Sequence, residues 1–160
     1  MPNEIERRFL VAHDGWKQQW VSRERLRDGL VLAEAGRKLR VRICDSGATL
    51  CVKGKRRGNM RAEYEYPIPM PDAEALLREH CDGRIVEKTR YAIPVGQRTW
   101  VVDVYHGLLE GILIAEIELD DDSSPLQLPD WIGEEVTDQD AYRKSKLFYA
   151  RSFISKMGAS

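Results

Sequence analysis

The chain is poor in the residues that most quickly assign a function. Its three cysteines, Cys44, Cys51 and Cys81, are an odd number at spacings that fit no zinc motif, which argues against a disulfide framework or a zinc cluster. They read as free thiols of a reducing compartment, used for packing. His13, His80 and His106 fall in or beside turns, with no neighbour that would make them ligands or bases, and read as surface residues. No charge sign dominates, with 25 Lys and Arg against 26 Asp and Glu. No net field therefore draws the chain to nucleic acid or a membrane, and a polyanion-binding surface requires local segregation of charge. The longest apolar runs, such as Ile112-Leu113-Ile114-Ala115, are far too short to span a bilayer. Met1-Pro2-Asn3-Glu4 places no apolar run behind a basic flank, so no secretory signal is expected, and the cytoplasm is the expected compartment. The phosphate-cradling pattern G-x-x-x-x-G-K-S/T is absent. There is no linker, low-complexity tract or repeat, so the expectation is one domain over 1–160.

What the chain has in quantity is charge, 32% of residues against 42% apolar, laid out in alternation. Successive side chains of a strand point to opposite faces, so Glu4, Glu6 and Arg8 share one face of a first strand over 4–11. The spacing predicts further strands over 24–33, 37–44, 48–54, 61–68, 84–93, 98–105 and 111–119. In 37–44, Leu39, Val41 and Ile43 oppose Lys38, Arg40 and Arg42. In 61–68, Arg61, Glu63 and Glu65 oppose Ala62, Tyr64 and Tyr66. The strand over 24–33 is the weakest, because Asp28-Gly29 reads as a turn or bulge. Asp14 reads as the cap of a short helix with Trp16 and Trp20 packing from one face. A helix is predicted from Pro71 to Cys81, opened by Pro and Asp and stopped by Gly83. Thr137 reads as the cap of a long amphipathic helix from Asp138 to about Met157. The basic loop Lys53-Gly54-Lys55-Arg56-Arg57-Gly58-Asn59 reads as a solvated loop at least as readily as a phosphate contact. Strands, a helix, more strands and a helix make an antiparallel sheet with few helices.

The polar faces of these strands carry Glu4, Glu6, Glu63, Glu65, Asp103, Glu116 and Glu118 against Arg8, Lys38, Arg40, Arg42, Lys53, Arg61, Lys88 and Arg90. Such a set suits an open sheet or a barrel closed with its apolar face outward. Buried dry, each ion would cost several kcal/mol, so a charged interior must be wet, internally paired and completed by ligands. Glutamates at i and i+2 lie about 6.5–7 Å apart along a strand and can converge on one cation. Carboxylates and water are what Mg²⁺ or Mn²⁺ prefers, while Arg and Lys suit phosphate oxygens. Together they are equipment for a polyphosphate.

In this pattern the chain resembles the CYTH domains, or triphosphate tunnel metalloenzymes. Their mark is a first-strand E-x-E-x-K, here Glu4-x-Glu6-x-Arg8. Further matches are Arg40-Val41-Arg42, Lys53-Gly54, Glu63-Tyr64-Glu65-Tyr66, Lys88-Thr89-Arg90-Tyr91, Asp103, Glu116-Ile117-Glu118-Leu119 and Trp131-x-Gly133-x-Glu135-Val136-Thr137, over about residues 4 to 147. The resemblance implies a mainly-β α+β fold, an eight-stranded closed antiparallel tunnel with a few helices and a C-terminal helix. It implies metal-dependent hydrolysis of triphosphates with Mg²⁺ or Mn²⁺, inorganic triphosphate being the expected substrate. By matched position, Glu4, Glu6, Glu116 and Glu118 would hold the metal. Arg8, Lys38, Arg40, Arg42, Lys53, Arg61, Lys88 and Arg90 would grip phosphate. Glu63, Glu65 and Asp103 would line the acidic side, for a second metal or for water activation. The C-terminal helix would offer a base, with Arg143 and Lys144 nearest the place. The expected partner is a small-molecule triphosphate or polyphosphate, with no nucleic acid and no membrane, bound by a monomer or homodimer. Alternatives are a weakly catalytic polyphosphate- or nucleotide-binding module, a thiamine or nucleoside triphosphatase, and an adenylate cyclase of the same family. The last is disfavoured, because only Met1, Pro2 and Asn3 precede Glu4, where the cyclases carry a His-Phe. The chain departs from the family at Arg8, in place of Lys, and at Asp28-Gly29-Leu30-Val31, where short bacterial members have Gln-Gly-Tyr-Leu.

Overall fold

A computed structural model describes residues 3–58, 60–121, 123, 125–142 and 147–148, with the backbone alone at Asn3, Glu4 and Asp140. The described residues form nine strands and one α-helix. The strands are β1 Asn3–Val11, β2 Ser22–Glu34, β3 Arg37–Cys44, β4 Gly47–Lys53, β5 Met60–Ile68, β6 Ile85–Val95, β7 Arg98–Tyr105, β8 Leu113–Glu118 and β9 Ile132–Glu135, and the helix α1 is Met70–His80. All pairings are antiparallel, in the order β5-β4-β3-β2-β6-β7-β8-β1, and β1 pairs with β5 to close an eight-stranded barrel. Only the start of β1 makes the closure, Asn3 to Ile5 opposite Ala62 to Met60. Its far half, from Phe9 to Val11, pairs instead with β9, which the sequence pattern does not predict at four residues' length.

The expected strands are present, with ends shifted by a few residues. β2 differs in kind, because it runs unbroken through Asp28-Gly29, and its irregularity falls later, between Leu30 and Leu32. Gly29 marks a close approach, not a turn. A Cβ there would lie 2.2 Å from Leu77 Cδ2 and 2.6 Å from Cys81 Sγ, so α1 rests directly on the bare backbone of β2.

Apolar side chains cover the outside of the barrel. Phe9, Trp16, Ile93, Trp100, Val102, Ile117 and Trp131 form one core on the outer face of β1, β6, β7 and β8. Phe9 and Trp131 meet Trp100 edge-on at 5.4 and 6.0 Å between ring centres. Val41, Ile43, Ala48, Ala73, Leu77 and Cys81 form a second, between β3, β4 and α1. A third cluster, Leu30, Val86, Tyr105, Leu109, Ile114, Leu147 and Phe148, packs residues of β2, β6, β7 and β8 against Leu147 and Phe148.

Two cap expectations are corrected. The short helix is a 3-10 turn, Asp14–Gln18, capped by the ring of His13, which accepts from the Gly15 N–H, and not by Asp14. Trp16 is buried and Trp20 exposed beyond the turn, although both touch Tyr91. Thr137 does not act as a helix cap. Its hydroxyl accepts from the Arg8 N–H at 3.0 Å and donates to Glu135 at 2.6 Å, tying the chain after β9 to β1. Of the long helix expected after Asp138, the described part is a 3-10 turn, Asp140–Tyr142, and helical residues at 147 and 148. Its remainder, with Arg143 and Lys144, lies outside the described residues. Among the described residues no helix is long and apolar enough to cross a membrane.

Gly29→Ala should lower stability by about 1–3 kcal/mol through overpacking, read as a fall in Tm. Leu77→Ala in the same chain frees part of that space, so the double variant should lose less than the two singles summed. Strictly additive losses would mean that α1 does not rest on Gly29.

Candidate active site

The inward face of the barrel is charged. Arg8, Asp28, Arg40, Lys53, Lys88, Asp103 and Glu116 are all buried. Strand register explains how they are accommodated. Asp28 on β2 lies opposite Arg42 on β3, and Asp103 on β7 lies opposite Arg90 on β6. Each arginine grips its aspartate with two parallel hydrogen bonds, at 2.7 and 2.8 Å for Arg42 and at 2.8 and 2.9 Å for Arg90. Lys88 Nζ stands between the two carboxylates, 2.9 Å from Asp103 and 3.7 Å from Asp28. The chain continues from Arg90 to Glu116 at 3.7 Å and from Glu116 to Arg8 at 3.2 Å. Arg8 also donates to the Tyr142 carbonyl.

The protonation states follow from this ladder. Burial alone would push the Asp103 carboxyl up, but Arg90 and Lys88 outweigh it and hold it down at about 2. Burial likewise opposes ionisation of Asp28, and Arg42, followed by Arg40 and Lys88, overcomes it and keeps that carboxyl well below its usual range. Lys88 is the group left short. Burial lowers it, Asp103 only partly restores it, Arg90 opposes it further, and it falls to about 8. Cys51 donates to Glu63 at 3.1 Å, and burial pushes its thiol up to about 12, so it is not a nucleophile at neutral pH.

Beside the ladder lies a cavity of about 590 Å³. Of the expected site residues it is lined by Glu6, Arg8, Lys38, Arg40, Lys53, Arg61 and Lys88. Arg42, Arg90, Asp103 and Glu116 belong to the ladder and not to this lining, and Glu63, Glu65 and Glu118 are also outside it. Glu6 and Glu118 face each other in the β1–β8 register, one step from the Arg8–Glu116 pair, and Glu4 lies opposite Arg61. Cys51, Glu63 and Glu65 also converge, with their possible ligand atoms all within 4.8 Å of one another.

The cavity adds residues that sequence reasoning passed over. In the sequence Asp28 reads as a turn signal, because Asp-Gly is a turn dipeptide when no partner strand is in view. Tyr105 lines the cavity, but its alternation with Asp103 was the only sign of it. Arg37, Lys55 and Arg56 line the exposed opening. The basic loop is also fastened there: Arg56 donates to the carbonyls of Gly58 and Thr137 and pairs with Asp138 at 3.5 Å. His106 is not a bare surface residue, since its ring is hydrogen-bonded to Thr89 at 2.7 Å.

Residues 2–153 match the family model described as the CYTH domain. The chain belongs to the CYTH domain family. Among its CYTH relatives, it is 39% identical over 147 residues to an inorganic triphosphatase of Acetivibrio thermocellus, covering 92% of this chain and 94% of that one. It is 34% identical over 149 residues to an inorganic triphosphatase of Nitrosomonas europaea, covering 90% and 95%. A solved structure of an inorganic triphosphatase, 31% identical, superposes with a TM-score of 0.64 over 90% of this chain and 96% of that one.

The state of Lys88 gives this CYTH cavity a pH dependence. A protonated Lys88 can donate to an anion, and that capacity is lost as pH rises through about 8. Wild type should therefore lose affinity for inorganic triphosphate relative to Lys88→Arg between pH 7 and 9, because arginine stays charged throughout. Titrating the same ligand into both proteins cancels the ligand's own ionisation. Parallel curves would mean that Lys88 does not touch the anion.

Proposed function

We propose that this CYTH protein is a metal-dependent triphosphatase acting in the cytoplasm, with inorganic triphosphate as its substrate. The observation that carries the reading is Arg40. It is 6% exposed and lines the cavity, and its Nε has no hydrogen-bond partner among the described residues. A guanidinium held out of water in that way is costly unless an anion completes it. With Arg8, Lys53 and Lys88 beside it, the anion best suited carries several charges on closely spaced oxygens, and triphosphate is such an anion. The names of the two relatives agree with this.

The residues divide into roles. Arg8, Arg40, Lys53 and Lys88 bind and orient the phosphate oxygens, with Lys38 and Arg61 towards the opening. Arg42 and Arg90 are already committed to Asp28 and Asp103, so they act by holding those carboxylates. Asp103 has both oxygens occupied and is held at about 2, which makes it a poor proton acceptor. Glu63 and Glu65, partly open to solvent, are the better groups to orient the attacking water. Hydrolysis forms a bond from that water's oxygen to a terminal phosphorus and breaks the bridging P–O bond, leaving phosphate and pyrophosphate. Arg143 is a weak candidate for the base, since arginine does not give up its proton in proteins.

The donor set fits Mg²⁺ or Mn²⁺. Glu4, Glu6, Glu116 and Glu118 offer only oxygen, and Glu6 and Glu118 lie opposite each other in register, where a cation would offset the repulsion between like charges. When bound there, the ion would neutralise charge on the phosphoryl oxygens.

The discriminating assay is phosphate release from inorganic, thiamine and adenosine triphosphates with Mg²⁺ or Mn²⁺. Inorganic triphosphate should be turned over fastest, and binding without any product would favour a polyphosphate-binding module. Glu6→Gln should weaken metal binding and leave metal-free triphosphate binding intact or tighter. Arg40→Ala should do the reverse, costing about 1.5–3 kcal/mol, tenfold or more in triphosphate affinity. Equal loss of the same ligand in both variants would mean that the two charge sets do not divide the work.

A further inference from the structure

The buried part of the cavity contains a carboxylate for which anion binding alone has no use. Asp28 is 3% exposed and lines the cavity. The other carboxylates in the lining differ from it: Glu34 and Asp138 are exposed, and Glu6 is half-buried. Asp28 is also badly placed to share a cation, because Arg42 takes both its oxygens, at 2.7 and 2.8 Å, and Lys88 Nζ stands 3.7 Å from Oδ2. Those neighbours keep it ionised in spite of burial. A permanent negative charge therefore faces the same space as Arg40 and Lys88, the cations best placed for phosphate. It acts on a ligand in two ways. It keeps Arg42 engaged through both of its oxygens, and it repels an anion in proportion to the charge the anion carries.

We propose that Asp28 is a specificity-determining residue, a built-in anion that occupies Arg42, shares Lys88, and weakens the cavity's hold on a polyphosphate the more charge that ligand carries. The inference rests on reading the cavity as a polyphosphate site and adds to it a reason why triphosphate and its pyrophosphate product are not held too tightly to exchange.

The test is calorimetric titration, without metal, of inorganic triphosphate and of orthophosphate into wild type and Asp28→Asn. Removing the charge should tighten triphosphate about tenfold or more and orthophosphate less than about threefold, since the repulsion scales with ligand charge. Unchanged or weaker triphosphate binding in Asp28→Asn, or an equal gain for both ligands, overturns the proposal. A wild type that binds no triphosphate overturns the polyphosphate reading and this inference with it. A wild type that binds triphosphate with no gain in the variant sinks the role of Asp28 alone. Should Asp28→Asn leave Arg42 so poorly paired that the chain does not fold, the same charge is read by comparing Arg42→Gln with the Asp28→Asn, Arg42→Gln double variant. The double should then bind triphosphate about tenfold more tightly than the single, and equal affinities overturn the proposal.

Discussion

The ladder of ion pairs from Arg42 through Asp28, Lys88, Asp103, Arg90 and Glu116 to Arg8 is the constraint that the rest of the barrel obeys. Each carboxylate removed from water there must recover its hydration from neighbours, or the barrel could not close with this face inward. Two cross-strand pairs do most of this. Asp28 with Arg42 and Asp103 with Arg90 meet directly across a strand pairing, and the planar arginine fork matches a carboxylate with two bonds at once. Because both pairs depend on register, a slip of one residue on β2, β3, β6 or β7 would turn the charges to the apolar outside. Pairing of charge and strand alignment therefore enforce one another.

This ladder explains how a cavity rich in cations can stand ready without collapsing. Arg42 and Arg90 are spent on carboxylates, which leaves Arg40, Lys53 and Lys88 at the surface of the cavity. Lys88 belongs to both sets. It is held in place by two aspartates and is still poorly enough compensated to fall to about 8. A group in that position is both oriented and sensitive to a further negative charge.

With charge inside, the apolar burial that drives folding must be found elsewhere. The outer face supplies most of it in two places, under α1 and under the chain that carries Trp16 and Trp131, and the cluster around Leu30 and Phe148 adds a third. Gly29 lets α1 come close enough to serve as that cover, on the residue next to Asp28, so the helix's packing surface and the ladder share one short stretch of β2. β1 has a similar double duty. It closes the barrel through its first residues, pairs with β9 through its last, and places Glu6 and Arg8 between the two.

The alternation of charged and apolar residues along β1, β3, β5 and β8 was enough to anticipate the strands, the charged face and nearly every residue that reached the interior, because a strand's two faces are set by a period of two that needs no tertiary information. The sequence also determined α1, through its Pro, its spacing of Leu76 and Leu77, and Gly83. Neighbours made the remaining decisions. Asp28-Gly29 has the local chemistry of a turn, and only Arg42 across the sheet and Leu77 above it made Asp28 a buried ion and Gly29 a contact point. The strand β9 is too short to carry a period of its own and exists because β1 offers it a free edge. Which cations line the cavity and which are taken up by the ladder was likewise undecided in the sequence, where Arg40 and Arg42 are equivalent members of one alternating strand. They part company only when the barrel closes and Arg42 takes both oxygens of the buried Asp28, since an ion pair depends on distances that no local pattern encodes.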